Sequence, residues 1–188
     1  MQHSPTEVRR AFGVLFVGVS IAVGVAAVMS EIVFENKAPL YYYVIMWLAS
    51  FGITFGLIFA KFRKIIPSIR GRMKNSVKWS SGIKTINGLC WAAPFIAIGA
   101  FPHLYQYLIL LGIGLGNLST YIFMKRYSGL DNREQIIVGL ISLAAIPVAV
   151  TIDTSFFIAS QTIAVIFSRI LISIAYGAGG IYALSAKE

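Results

Sequence analysis

Apolar residues run through the chain in six long blocks separated by short polar breaks. The blocks cover residues 11–30, 40–60, 86–101, 104–124, 135–152 and 155–184. About 20 apolar residues, rising about 1.5 Å each, cross a hydrocarbon core of about 30 Å. The pattern therefore predicts an all-α fold: an integral membrane bundle of six transmembrane helices forming a single transmembrane domain over 1–188. With loops this short there is no room for a separate soluble domain. The last block is long enough to tilt or to project beyond the bilayer.

Within the blocks, small residues recur at helical spacing. Ser20 and Gly24, Ala22 and Ala26, and Gly52 and Gly56 each stand four apart. Such spacing lets helix backbones approach closely, which is how membrane helices associate without a hydrophobic drive. Tyr41, Tyr42, Tyr43 and Trp47 open the second block and place that end at headgroup level. Pro94 and Pro147 bend the third and fifth blocks. Each follows a small pair, Ala92-Ala93 and Ala144-Ala145, a hint of repeated hairpins.

The break at 61–85 is unlike the others. Residues 61–84 hold eight of the sixteen Lys and Arg and no acid. Ile66, Ile69, Met73 and Val77 are spaced by 3, 4 and 4, which predicts a short basic amphipathic helix lying on the membrane surface. Lys61, Arg63, Lys64, Arg70, Arg72, Lys74 and Lys78 would face anionic headgroups. Counted over alternate loops, one side holds two, eight, three and one of the cations, and the other holds only Lys37. That asymmetry predicts both termini in the cytoplasm of a multi-pass protein of the cell membrane.

Composition agrees: 57% of residues are hydrophobic and only 12% charged, about half the usual charged share of a soluble domain. Mean hydropathy is +0.78. The net charge of +9 would suggest nucleic acid in a soluble protein, but here it is concentrated in one loop, which reads as topology and lipid contact. The single cysteine, Cys90, excludes an intramolecular disulfide. The first apolar block is longer than a signal-peptide core and is expected to remain as a span.

One ionisable residue falls deep in a block. Arg169 lies about 14 residues from either end of 155–184, near the expected midplane, where a guanidinium costs about 2.5 kcal/mol or more. It should therefore face the bundle. Thr162, Ser173, Tyr176, Gly177 and Gly180 fall on the same helical stripe. Asn117 stands 13 residues from the outer end of its block, at a matching depth of roughly 20 Å. The expectation is that Arg169 meets Asn117 or the carbonyls near Gly114 and Gly116. Arg169, Asn117, Thr162, Ser173 and Tyr176 are then the candidate ligand-binding stripe, for a polar or anionic solute that a guanidinium fork recognises.

Enzyme chemistry finds no support. Only His3 and His103 occur, so a multi-histidine haem or copper centre within the chain is excluded. The zinc-protease HExxH spacing is absent. Cys90, His103 and Arg169 cannot form one transpeptidase site, because Cys90 lies toward the inner side and His103 at the outer. Gly112-x-Gly114-x-Gly116 is inside a span and reads as helix packing rather than a nucleotide loop. The expectation is a non-enzyme without cofactor, metal or nucleic acid. Two functions remain: a channel, facilitator or substrate-binding transport subunit, or a non-catalytic accessory subunit of a larger membrane complex. Partners would be the bilayer and either further copies or other membrane subunits.

Overall fold

A computed structural model describes residues 5–39, 41–62, 67, 79–155 and 161–185. Among them there is no strand; the chain forms α1 (Pro5–Glu35), α2 (Tyr41–Lys61), α3 (Ser81–Ala97), α4 (Tyr105–Ser128), α5 (Arg133–Ser155) and α6 (Gln161–Leu184). A single 3-10 turn, Pro102–Leu104, precedes α4. Five helices are long and apolar enough to cross a membrane: α1, α2, α4 with its preceding turn, α5 and α6. α3, at 17 residues, stands at the short limit of a crossing.

Boundaries shift from the apolar blocks where capping chemistry intervenes. α3 begins at Ser81 rather than 86, because the Ser80 Oγ accepts from the Ile83 amide at 3.5 Å and satisfies one of the free N–H groups of the first turn. α4 ends at Gly129, whose φ of 65° closes the helix in the left-handed conformation that glycine tolerates best. Ser155, expected to open the sixth block, instead closes α5, and α6 starts at Gln161. The expected surface helix falls largely outside the described residues.

The helices pack side by side in the order α2, α1, α6, α5, α4, α3. α1 and α6, the first and last helices, make the most extensive interface and run antiparallel. A Cβ on Gly180 would lie 2.8 Å from the Val17 amide, and one on Gly24 would lie 3.2 Å from the Ser173 Oγ. Backbones can touch only because those positions are bare. Ser20 and Ser173 lock the same interface with two hydrogen bonds to each other's carbonyls. α4 is held between its neighbours by the alternate glycines: Trp91 and Phe95 of α3 lie over Gly116 and Gly112, while Leu143 of α5 lies over Gly114. The central core is Phe16, Val23, Leu110, Ile113, Val138, Ala145, Ala149, Ile172 and Ala175.

α2 is the outlying element. Ser50 is its only buried residue, donating to the Ala22 carbonyl at 2.7 Å. Trp47 adds a bond from Nε1 to the Ser30 Oγ at 3.1 Å. Nothing lies within 4 Å of where a Cβ would stand on Gly52 or Gly56.

Candidate functional site

Polar side chains inside the bundle gather at three levels. The first is the end where α4 begins. Its opening residues, Tyr105, Gln106 and Tyr107, point to two different neighbours. Tyr105 lies beside Arg169 of α6. Tyr107 donates to the Asp153 Oδ2 of α5, and Gln106 Nε2 donates to the same oxygen at 3.3 Å. Gln106 is only 3% exposed, and its Oε1 has no hydrogen-bond partner. The Arg169 guanidinium also sits 5.6 Å from the centre of the Trp47 ring of α2. This cation–π contact supplies about 0.5–2 kcal/mol where water is excluded.

Arg169 does not meet Asn117. Measured from Gln161 rather than Ser155, Arg169 is eight residues into α6, roughly 12 Å from its start. Its long side chain then reaches the aromatic residues at that end, as arginine near a membrane boundary commonly does.

The second level lies mid-bundle, where α4, α5 and α6 meet. Asn117 is 2% exposed and donates to the Ile113 carbonyl at 2.9 Å and to the Tyr176 hydroxyl at 3.5 Å. The Tyr176 ring stands edge-on to Phe16 of α1, 5.4 Å between centres. Ser142 of α5 is fully buried and its Oγ has no partner. The antiparallel register of α4 and α5, fixed by Gly114 against Leu143 and Gly139 against Leu118, puts Ser142 near the level of Asn117.

The third level is the opposite end. Glu134, 1% exposed at the start of α5, faces Arg9 of α1, with Nε and Oε2 3.8 Å apart. Arg9 also lies over the Tyr182 ring of α6 at 4.6 Å. A separate network ties α3 to α4: the Asn87 Oδ1 accepts from Ser119 at 2.8 Å and from Thr120 at 3.1 Å. Trp91 Nε1 donates to the Thr120 Oγ1 at 3.2 Å.

Of the expected stripe, Asn117 and Tyr176 come together. Ser173 is engaged with Ser20, and Gly177 and Gly180 with α1. Arg169 stands apart from them, and Thr162 lies in the first turn of α6. Among the residues expected at headgroups, Lys61 ends α2 and is exposed. Arg63, Lys64, Arg70, Arg72, Lys74 and Lys78 lie outside the described residues. Sequence reasoning passed over Tyr105, Gln106, Tyr107, Glu134 and Ser142. A signal existed for the first three: two tyrosines and an amide crowd the first turn of an apolar helix, opposite an aspartate at the matching end of the next one. Glu134 looked like loop because it adjoins Arg133 and Asp131.

No group of three or more His, Cys, Asp or Glu able to hold a metal occurs among the described residues. Comparison with known protein families, curated proteins and solved structures returned no match.

Proposed function

We propose that the chain is a six-span protein of the cell membrane, with both termini cytoplasmic, and that it serves as a non-catalytic subunit of a larger membrane assembly. α3 completes the six crossings, and the basic residues of 61–84 set the orientation by their excess on one side. The supporting observation is α2. A span that buries one residue of its 21 contributes little to its own bundle. Yet it presents Gly52 and Gly56 four apart, with open space before both. In a membrane such a face is suited to close approach by another helix. Ser173, Gly177 and Gly180 of the α6 stripe, by contrast, are spent on α1, and the Tyr176 hydroxyl on Asn117.

Purification in mild detergent tests this. The expected result is a stoichiometric complex well above the 20.6 kDa of the chain. Gly56→Leu should release the partner while leaving the melting temperature of the chain unchanged, because nothing within the chain lies against that position. A lone chain, or a Gly56→Leu variant that keeps its complex, would refute the reading.

Transport is the second reading. It is favoured by two buried groups without partners inside the bundle, the Ser142 Oγ and the Gln106 Oε1, which offer places for water or a polar solute. Loss of solute uptake in reconstituted vesicles on substituting Arg169→Ala would support it.

A further inference from the structure

The cluster at the start of α4 goes beyond either reading, and its chemistry is specific. A cation, Arg169, and an anion, Asp153, stand at the same end of the bundle, yet they form no ion pair with each other. Each instead has a tyrosine of one helical turn beside it: Tyr105 stands next to Arg169, and the Tyr107 hydroxyl donates to Asp153. Opposite charges in a low-dielectric setting attract strongly and usually pair. Here the first turn of α4 stands between them. On the α5 side, two donors already go to the carboxylate: Gln106 Nε2 and the Tyr107 hydroxyl both donate to the Asp153 Oδ2. What remains is an acceptor, the Gln106 Oε1 of the same amide, buried and without a partner, beside the carboxylate of the half-buried Asp153. Such a group costs free energy unless something donates to it.

We infer that this turn is a binding site for a zwitterion that carries a primary ammonium group at one end and a phosphate or carboxylate at the other. The ammonium, with three N–H donors, would be held by the Asp153 carboxylate and the Gln106 Oε1. The anionic end would be held by the Arg169 guanidinium, whose planar fork suits phosphate and carboxylate. If the helices cross a membrane, this end of α4 lies at headgroup level, so the zwitterion can come from a phosphoethanolamine lipid headgroup or from a free solute of the same chemistry. A quaternary ammonium has no N–H to give, so a choline headgroup is the discriminating control.

The full chain, purified in mild detergent, is exchanged into nanodiscs of phosphatidylethanolamine with phosphatidylglycerol, or of phosphatidylcholine with phosphatidylglycerol. Lipid that stays bound on release is counted by native mass spectrometry. Retention of the ethanolamine lipid is expected to exceed that of the choline lipid by about tenfold, the scale of one hydrogen bond to a charged group. Asp153→Asn should abolish the preference, and Arg169→Gln should lower retention of both lipids. Should Asp153→Asn not fold, Tyr107→Phe and Gln106→Met provide the same reading with smaller perturbation. A melting shift on adding phosphoethanolamine to choline discs assigns the site to free zwitterions as well; no shift assigns it to lipid. Equal retention of the two lipids by the unaltered chain, or a preference that survives Asp153→Asn, overturns the proposal.

Discussion

Ser20 and Ser173 exchange hydrogen bonds in both directions across the α1–α6 interface: the Ser20 Oγ donates to the Ser173 carbonyl at 2.7 Å, and the Ser173 Oγ donates to the Ser20 carbonyl at 2.8 Å. The first and last helices of the chain are thereby fastened at one point, with bare glycine contacts on either side. A membrane-buried hydrogen bond of this kind is worth about 0.6 kcal/mol, up to about 1.7. Close backbone packing around it therefore carries more of the interface than the serines do. Ser20→Ala and Ser173→Ala should each lower stability by about 1 kcal/mol or less, and a double-mutant cycle should return a coupling of similar size. Reversible unfolding in mixed micelles measures all three.

Gly180 is the sharper test of the same interface. A Cβ there would stand 2.7 Å from the Val17 Cγ2 and 2.8 Å from the Val17 amide, and a backbone amide cannot move aside. Gly180→Val should cost about 1–3 kcal/mol or more by overpacking, with α1 and α6 forced apart. Gly52→Val, facing open space on α2, should leave the unfolding of the isolated chain nearly unchanged.

Arg169 and Trp47 join α6 to α2, an otherwise sparsely held helix. Arg169→Met and Trp47→Leu should each destabilise the attachment of α2, and the pair should couple by about 0.5–2 kcal/mol. Trp47 fluorescence offers a direct probe, since its indole is in contact with the cation and its Nε1 donates to Ser30. Arg169→Lys should retain only part of the coupling, because a compact ammonium lacks the planar face that stacks on a ring.

Glu134, almost fully buried at the start of α5, faces Arg9 at the start of α1, whose side chain is 29% exposed. Leaving a buried carboxylate without its cation is costly, though by less than the roughly 3–5 kcal/mol of a fully buried pair because Arg9 reaches water, whereas replacing both with apolar groups can be close to neutral. Arg9→Met alone should therefore lower the melting temperature more than Arg9→Met combined with Glu134→Leu. Thermal unfolding of the three variants in one detergent decides it.

Asp131, in the loop between α4 and α5, shows an electrostatic effect outside the spans. The Arg133 guanidinium donates to its Oδ2 at 2.7 Å and holds the carboxyl below the ordinary carboxylate range, with the Tyr121 hydroxyl adding to the effect. A depressed carboxyl contributes stability that is present above its unfolded pKa and lost as pH falls through the lowered folded value. Arg133→Ala should raise the titration midpoint of Asp131 toward the ordinary value, read by carboxyl NMR. The global melting temperature should hardly move, because the pair is exposed and screened.

The register of apolar blocks located all six helices in advance, because burying backbone in an apolar setting demands helices of a set length. It misplaced their ends where a single polar residue intervened, as Ser80 did for α3. Depth and stripe named Asn117 and Tyr176 as candidates but paired Asn117 with Arg169; the structure pairs it with Tyr176 instead. The place of Arg169 was not legible, since depth along one helix does not say which neighbouring side chains its long stem reaches.

The sequence by itself determined the helical class, the positions of the helices, their small-residue faces and the charge asymmetry between loops. These follow from local composition and periodicity, which act one segment at a time. Only the tertiary structure decided which faces meet. It spent Ser173, Gly177 and Gly180 of α6 on α1, left Gly52 and Gly56 of α2 open, and brought Tyr105, Gln106 and Tyr107 between an arginine and an aspartate from two other helices. Several small-residue stripes of similar spacing compete for the same partners. The choice among them rests on the combined packing of all six helices, which no one segment encodes.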